Sequence, residues 1–178
     1  EMDNYPLVEY VASKRKPIIL STGMNDIEGV KKAVATIKQY HENFAIQHCT
    51  NIYPTPPDKI RLNALEELRK AFPNEILGLS DHSLNNYACY AAMAMGASIV
   101  ERHFTDNKER IGKEIAWSMD QDEAKELVGF SKAINKMKEG KKELLKEEEQ
   151  EFTGNRKRIN ALVTTRRILK NSTITKAD

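Results

Sequence analysis

Residues 76–104 read ILGLSDHSLNNYACYAAMAMGASIVERHF, and the fold turns on this stretch. It opens on a short apolar run, Ile76–Ser80, that ends in polar residues, and it closes on a second, Ser98–Phe104. Between them lies the small, apolar segment Tyr87–Met95, followed by Gly96. The outer runs have the character of buried strands. The middle one predicts a buried helix whose end a glycine caps. Strand, helix and strand at this spacing predict two parallel strands joined by a right-handed crossover.

The same unit recurs on both sides. Upstream, Pro17–Thr22 (PIILST) and Phe44–Thr50 (FAIQHCT) are apolar runs with polar ends. After the first, Asn25 and Glu28 have capping-box spacing, and Ile27, Val30, Val34 and Ile37 recur at helical spacing. After the second, Leu62, Leu65 and Leu68 do the same. Downstream, Asp120 or Asp122 opens a helix through Leu127, Phe130, Ile134 and Met137. The order β-α-β-α-β-α-β-α predicts an α/β fold with a parallel sheet, either doubly wound or part of a (β/α)8 TIM barrel. A whole barrel needs about 250 residues, so four units make half of one.

The chain has 178 residues, of which 40% are apolar. That is one domain with an appendage, or a piece of something larger, and its first residue is Glu1 rather than Met. Lys and Arg number 28 against 26 Asp and Glu, a net charge of +2. Such a balance predicts no nucleic acid and no anionic membrane as partner. No apolar run approaches the roughly 18 residues of a membrane helix, and no secretory leader pattern opens the chain. Two cysteines, Cys49 and Cys89, fit a reducing compartment, so a cytoplasmic protein is expected. Three regions follow: the four units over 1–138, a charged linker over 139–158, and a short β-rich segment over 159–178.

Polar residues gather where each predicted strand ends: Ser21-Thr22-Gly23, His48 to Tyr53, Ser80-Asp81-His82 and Glu101-Arg102-His103. Ligands of parallel α/β folds sit at that edge. Side chains two apart share a face, which pairs Ser80 with His82 and Glu101 with His103. Neighbouring strands then bring His82 toward His103, and two neutral imidazoles suit a divalent transition metal. For either histidine alone the alternative is a hydrogen-bonded interior residue. His48, further inside its strand, reads as structural. Cys49 reads as a small buried residue with no basic partner evident beside it, and Trp117 as packing.

The blocks KPIILSTGM, HCTNIYPTPP, GLSDHSLNNYACYAAMAMGAS and ERHFTD resemble the sialic acid synthase family. That family makes N-acetylneuraminate and related nonulosonates from phosphoenolpyruvate and an N-acetylated hexose, releasing phosphate. The tail INALVTTRRILKNSTITKAD resembles the start of its C-terminal antifreeze-like (SAF) domain. The resemblance implies the second half of a (β/α)8 barrel, its last four units. It implies that His82 and His103 hold Mn²⁺, that Ser21, Asn51 and Ser80 contact phosphoenolpyruvate, and that Tyr53 lies near the sugar. His103 also lies close to the sugar and is a catalytic candidate. Glu1 takes the place of a sugar-binding glutamate and is a candidate base for the water that adds to C2. In the full-length protein it implies a homodimer.

One departure stands out. The family usually reads RPGPD after ERHFTD, with an Asp that reaches the sugar. Here the residues are Arg110-Ile111-Gly112-Lys113-Glu114, so Glu114 carries the carboxylate on a longer arm. The family's phosphate-binding lysines, on its first four strands, have no counterpart here, and this chain alone is expected to be inactive. A competing reading is an inactive half-barrel or degenerate paralogue that only self-associates through open sheet edges. A Schiff-base aldolase would need a lysine at a strand end, and none falls there.

Overall fold

The computed structural model of the protein describes residues 2–143, 145–148 and 163–176. Four parallel strands stand in chain order in one sheet: β1 (Ile18–Ser21), β2 (Phe44–Cys49), β3 (Ile76–Asp81) and β4 (Ile99–Arg102). All four expected strands are present, each within a few residues of its expected bounds. The helices α2 (Ile27–Lys38), α4 (Ala64–Ala71), α5 (Tyr87–Ala94) and α6 (Gln121–Met137) follow them. Two elements were not anticipated: α1 (Tyr5–Ser13), before β1, and the single turn α3 (Pro57–Ile60). The result is an α/β half-barrel of four βα units.

Local chemistry explains the element ends. Asp120 caps α6 and forms a reciprocal capping box with Glu123. Gly96 ends α5 at φ +96°, where the Ala97 amide donates to the Ala92 carbonyl and the Gly96 amide to that of Met93. That is a Schellman cap, and glycine holds its left-handed position without strain. The expected Asn25–Glu28 box is corrected by one residue. Asp26 is the cap, accepting from the Gly29 amide at 2.8 Å, while the Asn25 side-chain amide donates to the Gly23 carbonyl at 3.0 Å.

The sheet's two faces differ. One is covered by helices. Leu20, Ile46 and Leu77 pack with Val30, Val34, Ile37 and Leu68 in one core, and Leu79 packs with Ala88, Met93 and Leu127 in a second. Each of the Val, Leu, Ile and Met side chains among these stabilises the fold by about 1.5–3 kcal/mol. The other face, the barrel interior, carries Ile19 at 56% exposure and the exposed Glu101. Phe130 and Met137, expected in the α6 core stripe, are exposed, although Phe130 stacks on Tyr90 with ring centres 4.5 Å apart.

The chain divides into two compact units, residues 1–139 and 140–178. In the second, the described residues 163–176 form bends and turns without a strand. The expected strand start at Ile159 lies outside the described residues.

Candidate active site

Parallel register lines the interior side chains into rows. Ser21, Gln47, Gly78 and Ile99 are successive partners in one row, and Cys49, Ser80 and Glu101 in the next. His82 and His103 lie two residues beyond Ser80 and Glu101, so the same alternation lifts them above that row. β2 stops at Cys49, so Asn51 and Tyr53 come from the loop after it rather than from strand. One open cavity of about 510 Å³ is lined by Ser21, Asn51, Tyr53, Ser80, His82 and Glu101.

The two histidines meet as expected. Their ring centres are 5.2 Å apart, edge to face. The His82 Nδ1 donates to the Thr50 carbonyl at 2.9 Å. The His103 Nδ1 lies 3.2 Å from a Glu114 carboxylate oxygen. A carbonyl only accepts, so the His82 Nδ1 carries the proton of that bond. Metal-binding histidines are oriented in this way by outer acceptors. Among the described residues no group of three or more His, Cys, Asp or Glu is assembled to hold a metal. Two imidazoles side by side are a donor set of the kind that suits a divalent transition metal. Tyr53 closes over them, its ring 4.2 Å from that of His82 and 6.1 Å from that of His103.

His48 has a different fate. It is 4% exposed on the helix-facing side, and its Nε2 donates to the Ile60 carbonyl at 2.8 Å. Burial outweighs that bond and lowers its pKa, so it stays neutral.

Cys49 is buried, as expected, but contrary to its sequence reading it has a basic neighbour. Its thiol donates to Asn51 Oδ1 at 3.1 Å and interacts with His82, Ser21 and Ser80. Burial pushes the thiol up, but those hydrogen bonds and the imidazole outweigh it and hold it below the usual thiol value. For His82, burial lowers the pKa, yet the bonds to Cys49 and Thr50 and the Asp81 charge leave it raised. Strand order hid this pair, since 33 positions separate residues that adjacent strands bring together. Burial also raises the Tyr53 phenol, with the Cys49 and Glu114 charges adding to it, so it stays a proton donor.

Three further residues at the strand ends, none of them given a role by the sequence, shape the site. Glu101 accepts the Ser80 hydroxyl proton at 2.8 Å, so Ser80 must turn away from it to donate to an anion. Gly23 leaves room for Asn51, because a Cβ there would collide with the Asn51 side-chain amide. Thr50 contributes only its backbone carbonyl. Glu114, expected on the sugar side, here holds His103 and has a side chain 60% exposed. Glu1 lies outside the described residues.

The family model described as "NeuB family" matches residues 1–143. The chain belongs to the NeuB family. It is 37% identical over 129 residues to N-acetylneuraminate-9-phosphate synthase of Drosophila melanogaster, covering 72% of this chain and 35% of that one. It is 38% identical over 133 residues to N,N'-diacetyllegionaminic acid synthase of Legionella pneumophila, covering 72% and 37%. The crystal structure of N-acetylneuraminic acid synthetase from Leptospira borgpetersenii, in complex with citrate, superposes with a TM-score of 0.78 at 28% identity, over 87% of this chain and 54% of that one. This NeuB chain thus spans well under half the length of those two sequence relatives. Among the described residues no helix is long and apolar enough to cross a membrane.

Proposed function

We propose that this half-barrel is the metal-bearing part of a nonulosonate synthase, a carbon–carbon bond-forming transferase that condenses phosphoenolpyruvate with N-acetylmannosamine or a related N-acetylated hexose and releases phosphate. One observation carries the reading: His82 and His103 meet ring to ring, with the His82 Nδ1 held by the Thr50 carbonyl and the His103 Nδ1 beside the Glu114 carboxylate, next to a cavity lined by Ser21, Asn51 and Ser80. Membership of the NeuB family supports it.

Each residue has a task in this reading. Ser21, Asn51 and Ser80 hold the carboxylate and phosphate of phosphoenolpyruvate through hydroxyl and amide donors. Tyr53, kept as a phenol, and Glu114 orient the sugar, with C3 of phosphoenolpyruvate facing its aldehyde carbon. Fixing two substrates in this way lowers the barrier by roughly 7–11 kcal/mol. A bond then forms from C3 to the aldehyde carbon, water adds at C2, and phosphate leaves. Mn²⁺, when bound by His82 and His103, supplies Lewis-acid polarisation of the aldehyde oxygen. The remaining phosphoenolpyruvate contacts come from the other half of the barrel, residues 159–178 begin the SAF domain, and the enzyme is a cytoplasmic homodimer.

The test is calorimetric titration of Mn²⁺ into the parent chain and into His82→Ala and His103→Ala. Binding in the parent and its loss in both variants supports the reading, and unchanged affinity in both defeats it. This chain alone, given Mn²⁺, phosphoenolpyruvate and N-acetylmannosamine, is expected to release no phosphate.

A further inference from the structure

Behind His82 and His103, on the opposite side of the sheet, lies a buried charge pair that the chemistry above does not use. Asp81 and Arg102 are register partners on β3 and β4. Their side chains are 2% and 1% exposed, with Arg102 Nε 3.4 Å from Asp81 Oδ2. Two charges leave water here, and an ion pair at this depth often stabilises a fold no more than apolar packing of the same volume does. Its connections point to another task.

Those connections bracket the two histidines. Asp81 directly precedes His82 and accepts from the Ser83 amide at 3.0 Å and the Ser83 hydroxyl at 2.8 Å, so it ties down the residue on the other side of His82. Arg102 directly precedes His103 and donates to the Ser83 carbonyl at 2.8 Å. Its second terminal nitrogen donates to Asn86 Oδ1 at 2.7 Å, at the head of α5. Arg102 also reaches the Trp117 carbonyl at 3.4 Å, and Met119 donates to the His103 carbonyl at 2.8 Å. One planar guanidinium therefore spans the β3 loop, the head of α5 and the segment that returns beside His103. A guanidinium fork fixes several acceptors in one geometry, which an ammonium does not.

We propose that the Asp81–Arg102 pair is a positioning device that sets His82 against His103. The mechanism is steric and geometric. Side chains alternate across a strand, so fixing residues 81 and 102 on the outer face fixes the angle at which 82 and 103 leave the inner face. The step from ring spacing to metal binding rests on the function proposed above. The ring spacing itself does not.

The experiment compares the parent chain with Arg102→Lys, which keeps the charge and loses the fork, and with Asn86→Ser, which removes one acceptor should the first variant fail to fold. Val34→Ala, in the core far from this network, controls for general loss of stability. The nuclear Overhauser contact between the two imidazoles and the Mn²⁺ affinity are read for each. The ring contact is expected in the parent and in Val34→Ala and is expected to vanish in the network variants, with Mn²⁺ affinity falling about 10–100-fold. A ring contact retained in folded network variants overturns the positioning role, whatever the metal does. If the parent chain shows the contact but binds no Mn²⁺, the metal reading fails and the ring contact alone decides the positioning role.

Discussion

His48 and His82 are both buried, at 4% and 7% exposure, and both donate a ring proton to a backbone carbonyl. They differ in the face of the sheet they occupy. His48 points among the helices, where burial keeps it neutral and the Ile60 carbonyl holds its Nε2. His82 points into the barrel interior, where a second imidazole, a thiol and an open cavity surround it. The difference extends to the apolar residues. Ile46 on the helix-facing side is fully buried, whereas Ile19 on the interior side is 56% exposed. One face of this sheet stores stability and the other presents chemistry.

The largest expected effect separates the faces by stability. Ile46→Ala should destabilise the chain by about 2–5 kcal/mol in urea unfolding, and Ile19→Ala by no more than about 0.5 kcal/mol. A loss at Ile19 as large as at Ile46 would break the contrast, because it would mean that the interior face is covered by a second copy of the chain.

The next effect lies on the chemical face. Gly23→Ala should push the Asn51 side chain out of place and break its bond with the Cys49 thiol. Losing one hydrogen bond to a charged ligand, worth about 1.5–3 kcal/mol, should raise the KM for phosphoenolpyruvate at least about tenfold in the complete enzyme. An unchanged KM would remove Asn51 from the substrate contacts.

The smallest effect is in pH. The folded-state pKa of His48 lies below its ordinary value of 6.5, so its contribution is complete above 6.5. As pH falls below that value the unfolded chain takes up the proton first, and stability declines. His48→Gln should flatten that acid-side decline when urea midpoints are followed from pH 7 to pH 5. An unaltered slope would show that His48 titrates alike in both states.

Much of the fold was readable because it is written in short-range patterns. Apolar runs with polar ends marked all four strands, Gly96 marked the end of α5, and the start of α6 was narrowed to Asp120 or Asp122, of which Asp120 is the cap. Reading failed where the deciding partner was near in space only or where two local caps competed. Asp26 caps α2, while the Asn25 side chain donates to Gly23 instead. The α1 helix begins with Asn4 as cap and a proline in its first turn, a usable signal that went unread.

The amino-acid order alone determined the four βα units and the residues that reach the strand ends, since alternation and helical period are local properties of the chain. It also carried the motifs that relate it to the NeuB family. Only the tertiary structure decided that Cys49 meets His82, that Glu101 accepts a hydrogen bond from the Ser80 hydroxyl, and that Arg102 reaches across to Ser83 and Asn86. These contacts depend on how adjacent strands are staggered. Register is set by the packing of the whole sheet against its helices, and no short stretch of sequence contains it.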